Sequence, residues 1–320
     1  MLLSVRELAA HYYTPAGVVK AVEDVSFDVD KDDSLAIVGE SGCGKTTVAL
    51  SILRILRPPG RIVSGQVLFE GTDLLTMPSS ELRRIRGEKI AMIFQQPQAY
   101  LNPVLKSGLQ IAEVLEIHRG HNHQKAMEET VSLLREVGIP SPEETAQRYP
   151  FELSGGMAQR VIIAMALACS PSLIIADEPT SALDVTVQAQ ILETIRKLRE
   201  SYQTSLVLIT HDLSLAAAAC ARIIVMYAGR LVEAGDTDAI FKNPKHPYTQ
   251  LLIASIPRIH STGELAGIAG SPPNLVNPPA GCRFHPRCPH VMDICKSVNP
   301  ELTSTEVGHI VACHLHRGYD

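Results

Sequence analysis

The chain has 320 residues, a length that suits about two domains at roughly 150 residues each, and 29 basic against 34 acidic residues give it a net charge of -5. Hydrophobic residues make up 45% and charged residues 20%, which excludes a disordered, collagenous or coiled-coil chain. Without a basic excess nucleic acid is not an expected partner, and any anion site must be built locally.

The start, Met1 to Glu7, carries charge too early for the apolar core of a signal peptide. The longest apolar stretch, Val161 to Cys169, falls well short of the roughly 20 residues that span a bilayer. Contact with a membrane is therefore expected to run through another protein. Val18 to Phe27 and Gly65 to Phe69 read as a small antiparallel set. Short β-rich runs follow at Ser34 to Val38, Ile90 to Phe94, Leu173 to Ala176, Leu206 to Ile209 and Ile223 to Tyr227. Between them Val187, Ile191, Ile195 and Leu198 recur at helical spacing. This alternation predicts an α/β domain with a largely parallel sheet, whose ligand sites lie beyond the carboxyl ends of the strands. Residues 102 to 168 read as mostly helical, with a break from Gly138 to Pro142. The chain turns proline-rich after Phe241, so the expected domains are 1–242 and an irregular extension, 243–320.

Gly39-Glu40-Ser41-Gly42-Cys43-Gly44-Lys45-Thr46 fits G-x-x-x-x-G-K-[ST] between a predicted strand and a predicted helix. Gly39, Gly42 and Gly44 let the backbone N–H groups of the loop, those of Ser41 and Cys43 included, close around phosphate. The helix start adds partial positive charge, Lys45 reaches the β- and γ-phosphates, Thr46 can ligate Mg2+, and Thr47 beside it is a further candidate nucleotide-binding residue. Cys43 reads as a small filler of the loop, with a reactive thiol as the alternative. The strand at Leu173 ends in Asp177-Glu178, where Asp177 would hold Mg2+ through water and Glu178 would polarise the attacking water.

Further segments narrow the class. Leu153-Ser154-Gly155-Gly156-Met157 opens a helix with a Ser and two Gly, a second phosphate-binding device. Ser181-Ala182-Leu183-Asp184 follows the acid pair, Gln95 stands just past one strand and His211 just past another. These elements, in this order and spacing, resemble the nucleotide-binding subunits of ABC transporters over roughly the first 240 residues. The resemblance implies a RecA-like P-loop core, an antiparallel β subdomain, and a helical subdomain carrying the signature Leu153 to Met157. It implies a head-to-tail dimer in which each ATP lies between one P-loop and the partner's signature. By the same resemblance Gln95 senses Mg2+ and the γ-phosphate, His211 holds the γ-phosphate and the attacking water, and Asp184 ties the two halves together. Tyr12 is the expected adenine-stacking residue, with Tyr13 as a competitor one residue along and therefore on the opposite strand face.

Gly17 to Val22, Gln95-Gln96-Pro97, Leu101 to Val104, Tyr149-Pro150 and His246-Pro247-Tyr248-Thr249 look like the dipeptide and oligopeptide importer branch, which also contains nickel importers. Three positions depart from that branch: Gln96 where it has Asp, and Phe151 and Ala158 where it has His and Arg. None is a phosphate ligand.

Cys282, Cys288, Cys295 and Cys313 crowd the C-terminal stretch at a spacing of C-x5-C-x6-C-x17-C. Structural zinc sites favour closer pairs, whereas four thiolates on wide loops suit an iron-sulfur cluster. Members of the branch with this cysteine set hold a [4Fe-4S] cluster, and the resemblance carries that expectation here. Zinc, with His285, His290, His309, His314 and His316 as further candidate ligands, and unligated thiols remain the alternatives.

The expected protein is the ATPase of a peptide importer on the cytoplasmic face of the membrane. It would be clamped to permease subunits, paired with a second ATPase and fed by an extracytoplasmic solute-binding protein. A nickel importer subunit, a non-transport ABC ATPase and a redox-regulated protein are the rivals.

Overall fold

The structure is a computed structural model that describes residues 1–181, 183–256 and 267–316. Two compact units divide the chain. The first gathers Met1–Val29, Ser34–Thr76 and Ile209–Asp320, and the second Asp30–Asp33 and Met77–Leu208.

In the first unit an antiparallel sheet runs in the order Gly17–Val29, Leu3–Thr14, Gly60–Phe69, Thr72–Asp73. Leu3 and Val5 are buried, and so are Leu8 and Ala10. Strict alternation would send one of these pairs outward. Glu7, at φ 46°, sits where the register slips between Val5 and Leu8, and that bulge brings the even-numbered residues onto the core face.

The same unit holds strands in the order Thr303–Glu306, His309–Val311, Arg230–Asp236, Arg222–Tyr227, Ser34–Val38. Ser34–Val38 runs parallel to Arg222–Tyr227, and all five of its residues are buried. Such a strand reads as a continuous apolar run because both of its faces are covered, and it delivers Gly39 at its carboxyl end.

The expected boundary near 242 falls inside this unit, and the chain beyond it is more regular than its composition suggested. Helix Pro247–Ala254 follows, and a hairpin at 303–311 adds strands beside Arg230–Asp236. Its strands, of four and three residues, are too short for a period to register in sequence. Tyr227, Tyr248 and Phe284 form a buried aromatic cluster with ring centroids 4.6 to 5.3 Å apart. Each such pair adds about 0.5–1.5 kcal/mol beyond area burial, so the extension packs an aromatic core against strand Arg222–Tyr227. Glu233, fully buried, accepts the backbone N–H groups of Lys245 at 2.7 Å and His246 at 2.9 Å, and pairs with His309 Nε2 at 2.7 Å. A buried carboxylate is tolerated when its oxygens are satisfied in this way.

In the second unit strands Leu173–Asp177 and Ile90–Ile93 run parallel, and residues 205–208, the first part of strand Ser205–Thr210, lie beside Leu173–Asp177. Helices Ser107–Arg119, His123–Glu136, Pro142–Gln147 and Gly155–Leu167 fill the expected helical stretch. Its break comes from Gly138 at φ 76° and Ser141 at φ 51°, with Pro142 starting the next helix. Helix Val185–Tyr202 buries Ile191, Ile195 and Leu198 as its spacing predicts.

Candidate nucleotide site

The phosphate loop is built by backbone conformation. Gly39 has φ 155° and Gly44 φ 104°, and a Cβ at either would lie 2.2 Å from a carbonyl oxygen, that of Met226 or that of Ala21. Only glycine fits either position. Gly44 caps helix Lys45–Ile52, so the helix N-terminus opens at the loop. Lys45, 5% exposed, donates from Nζ to the carbonyl oxygens of Gly39 at 2.7 Å and Glu40 at 3.0 Å. Burial raises the Cys43 thiol above its ordinary pKa, against the pull of Lys45, which suits a filler and not a nucleophile.

The two tyrosines separate cleanly. Tyr12 follows Ala10 on the core-side face, half-buried, with its hydroxyl 3.2 Å from Thr47 Oγ1 on the loop helix. Tyr13 faces outward, 45% exposed, beneath the Arg61 guanidinium. Within the first unit Tyr12 is therefore the residue brought to the loop. His211, exposed, stands between strand Ser205–Thr210 and helix Leu213–Ala219, where Asp212 caps the helix by accepting from Ser214 N and Leu215 N.

In the second unit Asp177, 3% exposed, closes its strand, and Glu178 turns the chain at φ 44°. Gln95 Nε2 donates to Glu178 Oε2 at 2.8 Å, joining two residues that are 83 positions apart in sequence. The signature serine, Ser154, is the N-cap of helix Gly155–Leu167 and accepts from Met157 N at 3.3 Å; Gly155 follows it exposed and Gly156 half-buried. Asp184 caps helix Val185–Tyr202 by accepting from Thr186 N and Val187 N. Its neighbour Ala182 lies outside the described residues. Gln110, 7% exposed, had no signal in the sequence: its carboxamide bonds Asn102 N, Asn102 O and Leu105 O, fixing the turn after the glutamine loop. Of the three departures, Ala158 is fully buried in its helix, while Gln96 and Phe151 are exposed.

A family profile described as ABC transporter matches residues 22–181, and one described as oligopeptide/dipeptide transporter, C-terminal region, matches 232–295. The chain belongs to the ABC transporter ATP-binding family. A probable peptide ABC transporter ATP-binding protein of Sinorhizobium fredii is 47% identical over 316 residues, 98% of this chain and 94% of that protein. The dipeptide transport ATP-binding protein DppD of Bacillus subtilis is 46% identical, with the same coverage. The oligopeptide transport ATP-binding protein OppD of Salmonella typhimurium is 46% identical over 98% of this chain and 93% of its own. Among solved structures, a dimeric ATP-binding cassette in a post-hydrolysis state bound to ADP and Pi superposes with a TM-score of 0.67 at 27% identity, covering 73% of this chain and 98% of that one. The ABC protein is an ATPase with the expected α/β nucleotide-binding fold.

Among the described residues no helix of this ABC subunit is long and apolar enough to cross a membrane. Its cysteines Cys282, Cys288, Cys295 and Cys313 line one narrow pocket together with His246, His285, His290 and His314. Burial, with the neighbouring thiols adding to it, pushes Cys282 and Cys313 up to about 11. Among the described residues no group of three or more His, Cys, Asp and Glu side chains is arranged to hold a metal ion. The four cysteines share this lining without forming such a group.

Proposed function

We propose that this ABC ATPase powers the import of dipeptides or oligopeptides through a membrane permease. The observation that carries this reading is the similarity to peptide-transport ATP-binding proteins over 98% of the chain, the C-terminal region included. In this reading residues 1–242 form the nucleotide-binding domain and 243–320 the extension of the peptide branch. The protein sits at the cytoplasmic face, pairs head to tail with a second ATPase and is served by an extracytoplasmic solute-binding protein.

The resemblance to ABC ATPases supports the following roles. The loop from Gly39 to Thr46 surrounds the phosphates with backbone N–H groups, and Lys45 leaves its carbonyl partners to meet them. By the same resemblance Thr46, Gln95 and Asp177 are the residues that would hold Mg2+. Glu178, held by Gln95, polarises the attacking water, and His211 steadies it. Ser154, Gly155 and Gly156 meet the partner's nucleotide, Asp184 links the two halves, and Tyr12 stacks on adenine. Closure drives transport only because ATP binds the closed dimer better than the open one.

In this reading the four C-terminal cysteines are the candidate ligands of a [4Fe-4S] cluster, which would cross-link the extension without taking part in hydrolysis. The support is their shared pocket; zinc is the competing occupant. A strain lacking the gene, auxotrophic for one amino acid, tests the transport reading. It should fail to grow on peptides that contain that amino acid, yet grow on the free amino acid. Normal growth on those peptides with impaired nickel uptake would overturn the peptide reading.

A further inference from the structure

Glu40, the second residue of the phosphate loop, is gripped twice by the C-terminal segment. Its backbone N–H donates to the Tyr248 hydroxyl at 2.9 Å. Its carboxylate accepts from both terminal nitrogens of Arg287, at 2.7 and 3.0 Å. A two-pronged pair of this kind fixes direction as well as charge. Arg287 is itself held: its side chain is 5% exposed, Nε donates to Ala269 O at 2.9 Å, and further bonds reach Ile268 O and the Tyr227 hydroxyl, each at 3.2 Å. All these residues lie in the first unit.

The motif at His246 now has a physical purpose. His246 Nδ1 accepts from Tyr248 N at 3.0 Å and Pro247 occupies the first helical turn, so the helix begins where Tyr248 can point at the loop.

We propose that Arg287 is a positioning residue for ATP, acting through Glu40. A loop whose task is to hold a polyanion carries a carboxylate five residues before its lysine, and Lys45 Nζ already bonds the carbonyl of that same residue at 3.0 Å. Unpaired, the Glu40 carboxylate would repel phosphate and compete with it for Lys45. Arg287 cancels that charge and holds both carboxylate oxygens. The inference rests on reading Gly39 to Thr46 as the ATP site.

The test is equilibrium binding of Mg-ATP, Mg-ADP and AMP to the full chain and its R287A, R287K, E40Q and R287A/E40Q variants. R287A should weaken ATP about tenfold, ADP less and AMP least, because repulsion grows with ligand charge, and the loss should shrink as salt is raised. R287K, which keeps charge without the fork, should fall between. In the E40Q background, R287A should alter ATP affinity by less than about twofold, since the charge it neutralised is gone. Equal losses for all three nucleotides, no loss for ATP, or an undiminished loss in the E40Q background would each overturn the proposal. If R287A does not fold, R287K compared with R287K/E40Q separates the same outcomes. Failure of the wild-type chain to bind ATP at all would instead strike the site reading beneath it.

Discussion

Gln95 donates its carboxamide to the Glu178 carboxylate at 2.8 Å, so the residue after one strand orients the acid after its neighbour. The chain turns left-handed at Glu178, and Gln95 fixes one oxygen of its carboxylate. Replacing Glu178 by Gln keeps the hydrogen-bonding shape and removes the base. The expected result is an ATP hydrolysis rate lower by about 100-fold or more, with ATP binding retained and an ATP-dependent dimer visible by size-exclusion chromatography. Robust turnover would take Glu178 out of the mechanism.

Tyr12 and Tyr13 offer a test of strand geometry. One residue along a strand reverses the face, and the bulge at Glu7 decides which tyrosine meets the loop helix. Tyr12→Ala should weaken ATP binding about tenfold, in line with ~1–3 kcal/mol for base stacking on an aromatic ring. Tyr12→Phe, which keeps the ring and loses the bond to Thr47, should stay within about threefold of wild type, a neutral hydrogen bond being worth ~0.5–1.5 kcal/mol. Tyr13→Ala should change little. A larger loss from Tyr13 in a fluorescent-nucleotide titration would reverse the assignment.

The strands that flank the loop and the acid pair were legible because they are buried on both faces and their apolar runs end at Gly39 and Asp177. The signature and its helix were legible from Ser154 and the two glycines after it, because capping is a local event. Less local features were not. Leu3–Thr14 passed unnoticed as one long strand because its bulge breaks the period of two. The partners of Glu40 stand 208 and 247 positions away, at Tyr248 and Arg287, and no spacing rule reaches that far. The extension read as irregular because prolines and cysteines dominate its composition, while the aromatics that pack it come one at a time, at Tyr248 and Phe284, and meet each other and Tyr227 only in the fold.

His246 predicts how the extension responds to acid. Burial, with a smaller contribution from His316, lowers its pKa to about 3 from an ordinary 6.5, and its Nδ1 serves as the acceptor that caps helix Pro247–Ala254. The folded state therefore holds the ring neutral, while the unfolded chain binds a proton as pH falls below 6.5. Stability from this group is complete above pH 6.5 and declines as pH drops toward 3. Between pH 7.5 and 5.5 the loss should be about 1.4 kcal/mol, measured by urea denaturation of the full chain. His246→Asn retains a capping acceptor that does not titrate, so it should flatten that part of the slope. An unchanged slope in the Asn variant would show that other groups set it.

The cysteine pocket and the aromatic cluster make separable contributions to the extension. Cys282 and Phe284 lie two residues apart and both line the cysteine pocket, yet only Phe284 also packs on Tyr227 and Tyr248. If a [4Fe-4S] cluster occupies the pocket, anaerobically purified protein should yield about four iron and four sulfide per chain, and Cys295→Ser should lower both. Zinc without sulfide would keep a metal cross-link and discard the cluster. The aromatic core should act whatever the pocket holds: Phe284→Ala should cost about 3–5 kcal/mol in denaturation. Because Phe284 lies between Arg283, which pairs with Glu23, and Arg287, which holds Glu40, that variant should also weaken ATP binding. Lost stability with ATP affinity intact would mean that Arg287 keeps its grip on the loop without the core beneath it.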